Sequence, residues 1–472
     1  MAPVTKKPKV IIVGAGLGGI TLGILLEKAG VDFEIYERAT EVKPLGSAIS
    51  MGASVLTFFE QLGLLEEFIS YGKPTMYANM YNEKRELQNT IDFSFLKNVG
   101  GHYNYIVPRP HLYAMLLRQI PAERIRFSKR VLSISQGEHG ALIRTADGQT
   151  HEGDILVGAD GAYSGVRQGL YDALKKEKKL PSSDDQPLPF NCVALVGHTG
   201  PLDPDQFPEL LLPESCNQGV IGGDNKPYSL MTFTCQNNSM CWGLMHHLDA
   251  ESSKLNDSFR NSEWGAEAAE QMCKEVRDFP IPGGINNNLT LGDLIDKTPQ
   301  HLISKVMLEE KVFDTWYHGR TVLLGDGAVN AIQDAIALAN WINTLNADAT
   351  WDDTAKVFAE YRSERYPWAQ HAFTDSQVMS KLVAMNFMGK VARYAAKNMP
   401  AWLQRAAFSR IATNRPQAAF LPLAPDRGQT KAVKQNSLVK TQKILAVRAK
   451  KQQQQADNAA AANANNKESV AV

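Results

Sequence analysis

Residues Lys9 to Arg38 read KVIIVGAGLGGITLGILLEKAGVDFEIYER. The run Val10-Ile11-Ile12-Val13 is too short for a helix and rich in β-branched residues, so it is expected to be a parallel strand buried on both faces. Gly14-Ala15-Gly16-Leu17-Gly18-Gly19 follows at once. In a strand-turn-helix unit of this kind Gly14 permits the tight turn, Gly16 lets a pyrophosphate approach the backbone, and Gly19 lets the helix pack closely on the sheet. The spacing predicts that helix over about Gly18 to Ala29, with its positive end at the phosphates and Gly30 as its stop. Val31 to Tyr36 returns as a second strand closed by Glu37, whose carboxylate can accept hydrogen bonds from both hydroxyls of an adenosine ribose. A GxGxxG alone is a weak signal. Preceded by a strand, followed by a helix and completed by the acid, it points to a dinucleotide site, and NAD and FAD both fit it.

The whole chain sets the frame. Its 472 residues allow two or three domains, and its 44% hydrophobic content is ordinary for a globular protein. A formal net charge of zero gives no electrostatic case for nucleic acid. No apolar run is long enough to span a bilayer. MAPVTKKPK leads straight into the first strand without room for a signal peptide, so a cytoplasmic location is expected. Cys192, Cys216, Cys235, Cys241 and Cys273 form no CxxC pair and read as reduced thiols, with no metal site implied.

Further along, ATEVKPLGSAISMGAS (39–54) is a Gly- and Ser-rich loop, and Val55–Gly63 an amphipathic helix ended by Gly63. Met76 to Tyr105 reads as alternating strands. Arg109 stands at a strand-to-helix junction, a place suited to an anion or a carbonyl-rich ring. Arg126 to Ile134 and Ala141 to Thr145 read as a strand pair joined by a turn around Gly137–Gly140. Asp154 to Gly158 is another buried strand, and Gly158-Ala159-Asp160-Gly161-Ala162-Tyr163-Ser164-Gly165-Val166-Arg167 leads from it into a helix. Glu177 to Pro189 is a linker or long loop. Phe190–Gly197, Ser229–Cys235 and Met240–Leu248 have the spacing of an antiparallel sheet. His246-His247, adjacent on a strand, point to opposite faces and make a poor metal pair. Ser262 to Val276 reads as a helix capped by Ser262 or Asn261, and Leu289–Lys297 and Pro299–Glu309 as helical or mixed. Thr321 to Asp326 is a third buried strand ending in an acid, followed by the strong helix Asn330–Leu345. Asp375 to Ile411 is helical and broken at Pro400. It is expected to be an amphipathic flank on the core, with weak peripheral membrane contact as the alternative. From about Asp426 a basic, then Gln-, Ala- and Asn-rich composition predicts a disordered tail.

Three glycine-acid stretches thus stand in order: GAGLGG with Glu37, GADGAYSGVR, and the strand ending Gly325-Asp326. Together they resemble the group A (p-hydroxybenzoate-hydroxylase-like, aromatic-ring hydroxylase) FAD-dependent monooxygenases. The likeness runs from about Lys9 to Leu423 and is closest to fungal members, through Cys241-Trp242, Pro367-Trp368 and the stretch from Arg415-Pro416-Gln417 to Phe420-Leu421-Pro422. It implies an α/β fold with a Rossmann-type FAD-binding domain, an inserted antiparallel-sheet substrate domain and C-terminal helices. The implied FAD-binding domain is assembled from three segments, 1–75, 111–185 and 305–372. Substrate-domain strands fall in 76–110 and the body of the substrate domain in 186–304, with helices over 373–425 and the tail over 426–472. The resemblance also implies FAD as cofactor, NAD(P)H as co-substrate, and O2 and a small organic molecule as substrates. The implied reaction is hydroxylation or epoxidation through a C4a-hydroperoxyflavin.

Carried onto this chain, the resemblance implies that Gly14, Gly16 and Gly19 cradle the pyrophosphate and Glu37 the ribose. Arg109 would contact the flavin side, Asp160 would lie near the pyrophosphate and the NAD(P)H groove, and Asp326 would bond the ribityl chain or pyrophosphate. Arg38, Ser50 and Ala328 complete the cofactor-binding candidates, and Tyr228, on the sheet that would roof the substrate pocket, is the catalytic candidate. In the family, Gly-Asp is followed by a segment with a His, a Pro and a Gly-rich turn that wraps the isoalloxazine ring. Here Gly325-Asp326 runs directly into Gly327-Ala328-Val329-Asn330-Ala331. Two alternatives stay open: a redox flavoprotein of this fold that inserts no oxygen, and a catalytically defective form lacking the ring-binding segment.

Overall fold

The computed structural model describes residues 7–41, 47–188, 190–222, 227–248, 266–325, 327–383 and 387–470. Strands and helices are numbered along the chain. A six-stranded sheet holds β1 (Val10–Val13), β2 (Phe33–Tyr36), β8 (Ile125–Arg126), β12 (Ile155–Gly158), β18 (Tyr317–His318) and β19 (Thr321–Leu323), in the spatial order β18-β19-β12-β1-β2-β8. All its pairs are parallel except β18 with β19. The period of two explains why β1 is apolar throughout. Val10 and Ile12 enter the core on one face, beneath α1 (Leu17–Lys28), α5 (Arg109–Leu117) and α9 (Ala328–Ile342). Ile11 enters the core on the other face with Ala141, Ile143 and Leu170, from a meander of β9 (Val131–Gly137), β10 (Gly140–Thr145) and β11 (Thr150–Gly153) and from α6 (Gly165–Lys176). Helix α1 ends where Gly30 takes φ +64°, a left-handed conformation that glycine adopts without steric cost.

The second layer is a seven-stranded sheet of β5 (Tyr77–Asn82), β6 (Leu87–Asp92), β13 (Phe190–His198), β14 (Asn217–Ile221), β15 (Tyr228–Thr234), β16 (Met240–His247) and β17 (Ser304–Glu309), in the order β17-β13-β16-β15-β14-β5-β6. Its pairs are antiparallel except β14 with β5. One face carries Val193, Leu195, Leu230, Trp242 and Leu244 into a core under α7 (Ala266–Glu275) and α8 (Leu291–Asp296). Between the two layers lies a small sheet in which β7 (Asn104–Pro108) is flanked by β3 (Ala48–Met51) and β4 (Lys73–Thr75).

Three expectations change, and a fourth falls partly outside the described residues. The stretch 76–105 is not all strand, because α4 (Leu96–Gly100) interrupts it, and β7 joins the small sheet instead of the substrate sheet. Ser304–Glu309, expected to be helical or mixed, is an edge strand of the large sheet. Alternation identifies a strand but not its neighbour, which long-range packing decides. For the helix expected over Ser262–Val276, Ala266–Glu275 is helical, and the proposed caps Ser262 and Asn261 lie outside the described residues. The tail expected to be disordered contains α13 (Asn436–Val470), whose first turns are fastened to the core. Ser437 donates to the Glu364 carboxylate at 3.0 Å and Thr441 to the Asn340 carbonyl at 2.8 Å, and both are fully buried. Arg448 donates to the carbonyls of Asn343, Thr344 and Leu345, closing the C-terminal end of α9. These polar fastenings leave no trace in composition.

The remaining helices are α2 (Ala53–Leu62), α3 (Leu65–Tyr71), α10 (Trp351–Val383), α11 (Phe387–Lys397) and α12 (Ala401–Thr413).

Candidate functional site

In an open α/β sheet, ligands settle beyond the carboxyl ends of the strands, where strand order reverses. Here β1 is that point, with β2 on one side and β12 on the other. A cleft of about 1170 Å³ opens there, lined by Gly14, Gly16, Glu37, Arg38, Val131 and Asp160.

The glycines divide by what a side chain would meet. At Gly14, φ is +104° and a Cβ would strike the Ala159 carbonyl. At Gly19 a Cβ would collide with the Gly14 carbonyl oxygen, so this glycine exists for helix packing. At Gly16 the nearest atom is the Ala159 oxygen at 3.9 Å, and the residue faces the cleft. Gly16 is also the N-cap of α1, with no side-chain cap on the helix and no acid in its first turn. Its leading N–H groups are open to an anion.

Glu37 holds this turn in place. Its Oε2 accepts from the Ala15 N–H at 2.8 Å and its Oε1 from the Ala39 N–H at 2.9 Å. A carboxylate oxygen has a second lone pair, so both oxygens keep acceptor capacity toward the cleft. Arg38 is exposed at the rim.

A second cavity, about 440 Å³, adjoins the first at Asp160 and Gly161 and extends to Ser164, Gly325, Gly327, Asn330 and Asp334. Burial raises the Asp160 carboxyl above the usual range, against hydrogen bonds from the Ser164 hydroxyl at 2.5 Å and the Val166 N–H at 3.2 Å. Those bonds commit Asp160 to the start of α6. Asp326 lies outside the described residues. Ala328 opens α9 behind the N-cap Gly327, and this helix too lacks a side-chain cap or a first-turn acid.

Arg109 begins α5, and its backbone N–H donates to the Ser47 carbonyl at 3.0 Å. Its Nε is buried without a hydrogen-bond partner among the described residues. A buried donor in that state is costly unless a ligand meets it. Ser50, on β3, is exposed and shares the strand face of Ala48, which packs against the cluster of Ile106, Cys235 and Cys241.

Tyr228 is not brought to this region. Its ring packs 4.7 Å from His246 and 6.2 Å from Phe279, on the face covered by α7 and α8. The residues facing the other way are Ser229, Met231 and Phe233 on β15, with Cys241, Gly243 and Met245 opposite them on β16. The strand expected over Ser229–Cys235 runs over Tyr228–Thr234, and its parity puts Tyr228 on the face covered by α7 and α8, opposite Met231. Among the described residues no group of His, Cys, Asp or Glu is arranged to hold a metal, and all five cysteines are free.

The sequence reading missed a buried ion pair behind the second cavity. Arg365 Nε donates to Asp334 Oδ1 at 2.6 Å, and both side chains are 2% exposed. Asp334 Oδ2 accepts the Gly325 N–H at 3.1 Å. Arg365 also reaches Gln333, which Asn414 bonds at 2.8 Å. The available signal was an acid amid the apolar run Ala331–Leu338, a position that only a paired charge tolerates.

A family model described as FAD binding domain matches residues 7–184. The FAD-dependent monooxygenase ptmM of Penicillium ochrochloron is 27% identical over 404 residues, covering 79% of this chain and 89% of that protein. AusM of Penicillium brasilianum, also an FAD-dependent monooxygenase, is 26% identical over 416 residues, 82% of each chain. The chain is thus similar to FAD-dependent monooxygenases over about four fifths of its length, and its N-terminal part matches an FAD-binding domain. The fold agrees. Klebsiella pneumoniae HpxO, solved with FAD and uric acid, superposes with a TM-score of 0.67 at 17% identity, over 86% of this chain and 97% of that one. FqzB gives 0.62 at 18% identity, over 87% and 96%. The β1 turn and Glu37 stand in the stretch of chain matched as FAD-binding.

Proposed function

We propose that this chain is an FAD-dependent monooxygenase that takes reducing equivalents from NAD(P)H and uses O2 to hydroxylate or epoxidise a small, uncharged organic substrate. The observation that carries the reading is the β1–α1 turn, where packing requires Gly14 and Gly19 while Gly16 is left open toward the cleft. FAD bound there supplies the electron transfer and oxygen chemistry.

The chain's own residues have narrower tasks. Gly14, Gly16 and Gly19 let the pyrophosphate meet the open N–H groups of α1, and Glu37 accepts from the ribose. Arg38 closes the adenosine end. Arg109 supplies its unpaired donor to the flavin side, with Ser50 on the adjacent strand β3. Asp160 fixes the second turn through α6 instead of reaching for the ligand. Ala328 presents the uncapped end of α9.

The roof is apolar. Met80, Gly219, Met231, Gly243 and Val196 lie in one cross-strand row, and Ser229, Met245 and Ala194 in the next. Neither row holds a charged residue, which suits an uncharged substrate and keeps water from the reacting centre. Methionine lets such a face adapt to irregular shapes.

One observation favours the second reading, a defective form. Only residue 326 separates Gly325 from the N-cap Gly327, so no loop is available to wall the ring. The absorption spectrum of the purified chain decides first. Two visible flavin bands that survive gel filtration, followed by NADPH-dependent O2 uptake yielding an oxygenated product, are expected. A folded but colourless chain that ignores added FAD would replace the catalytic reading with the defective one.

A further inference from the structure

The corner between α11 and α12 gathers large exposed side chains at one place. Tyr394 is 72% and Trp402 70% exposed, and Met399 and Leu403 are exposed beside them. All four lie within ten positions of the Pro400 elbow. The elbow is ordered by its own bonds: Leu403 N–H reaches the Pro400 carbonyl at 2.9 Å, and the Gln404 amide spans the two helices to the Ala396 carbonyl at 3.4 Å. The inner side of α12 is already fastened. Phe408 packs edge-on against Phe93 at 5.0 Å, and Arg405 lies 5.6 Å over the Phe95 ring. The exposed apolar groups are therefore the outward side of a fixed projection, not the unpacked end of a loose one.

The charge of this region is equally one-sided. Between Asp375 and Asp426 the chain has no acidic residue, although the protein as a whole has zero formal net charge. Lys381, Lys390, Arg393, Lys397, Arg405 and Arg410 all fall in that interval, and of these Arg405 and Arg410 meet the acids Asp92 and Asp375 at 4.0 and 3.3 Å. Lys397 is exposed on the last turn of α11, with no ion pair among the described residues.

We propose that this corner docks on the surface of an anionic lipid bilayer. Trp and Tyr favour the level of the headgroups, where an apolar ring and a polar edge are both satisfied, and neighbouring lysines and arginines are drawn to negative lipid. A protein partner is the poorer match, because lysine is depleted from protein interfaces. No described helix is long and apolar enough to cross the membrane, so the contact is peripheral. The inference does not depend on the flavin reading.

Flotation of the full chain with phosphatidylcholine vesicles, with and without phosphatidylserine, tests it. Binding is expected only to the serine-containing vesicles and is lost as salt is raised. The double variant Trp402→Ser, Leu403→Ser should bind at least about tenfold more weakly with an unchanged melting temperature. Lys397→Glu, a single change at an exposed site, should weaken binding by about fivefold or more. Absence of flotation, equal binding to both vesicle types, or full binding by both variants would overturn the proposal. So would an oligomer of the parent chain that the double variant dissolves, since the corner would then cover a second copy.

Discussion

Two strands of the same sheet run into glycine turns and then into uncapped helices, yet the turns are built for different ends. After β1, the turn from Gly14 to Gly16 spreads over several residues, and the position facing the cleft is free of protein atoms to 3.9 Å. After β19, Gly325 is one residue from the helix N-cap, and its N–H is already bonded to Asp334 from inside α9. In the first turn Gly14 and Ala15 are bonded to Tyr36 and Glu37 while the leading N–H groups of α1 beyond Gly16 stay open to a ligand, whereas in the second the glycine facing the cavity, Gly325, is itself bonded by the protein. A glycine after a strand is thus informative only when one knows who occupies the space in front of it.

The largest effect expected from breaking this contrast is at the self-satisfied turn. Asp334→Ala leaves the Arg365 guanidinium buried without its partner and frees the Gly325 N–H. Removing one member of such a pair costs about 3–5 kcal/mol, to be read from the urea midpoint. The double variant Asp334→Leu, Arg365→Met should recover most of that loss, since replacing a buried pair by apolar groups is often near neutral. If the single variant melts like the parent, the second turn does not depend on Asp334, and the contrast fails.

A smaller effect separates the two kinds of glycine inside the first turn. Gly19→Ala drives a methyl into the Gly14 carbonyl and should cost about 1–3 kcal/mol of stability. Gly16→Ala adds a methyl only to open cleft. Its melting temperature should stay close to that of the parent, while FAD affinity falls by at least about tenfold, equivalent to about 1.4 kcal/mol. Equal loss of stability in both variants would show that Gly16 too is held by packing, and that the open space before it is not a ligand's.

The same contrast explains what could be read without coordinates. The unit from Val10 to Glu37 was legible because strand, turn, helix and acid lie within 30 residues and each is specified by its neighbours. The Rossmann-type architecture with an antiparallel partner sheet followed from where such units stop. What could not be read depended on distant chain. The β7 strand joins β3 and β4 through pairing that alternation does not encode. The Asp334–Arg365 pair spans two helices. Helix α13 is held by Ser437, Thr441 and Arg448, three polar residues unremarkable in a basic stretch. Asp160 was legible as a motif residue, but its commitment to Ser164 and Val166 was not.

The smallest effect is expected at Tyr228, and it sharpens the comparison from the roof side. The resemblance put this residue forward as a polar candidate on the sheet that would roof the substrate pocket. Register decides otherwise: Tyr228 shares the face of Leu230, under Phe279, while Met231 opens the opposite face. Tyr228→Phe keeps the ring contacts with His246 and Phe279. It should change stability by no more than about 0.5 kcal/mol and leave turnover unaltered. Met231→Lys, three residues away on the other face, should raise KM by placing a charge in an uncharged row, with little change in melting temperature. A tenfold fall in kcat for Tyr228→Phe, with Met231→Lys silent, would mean that the substrate meets the α7 side of the sheet. The roof would then have to be reassigned as a whole, because a strand cannot turn one side chain over without turning its neighbours.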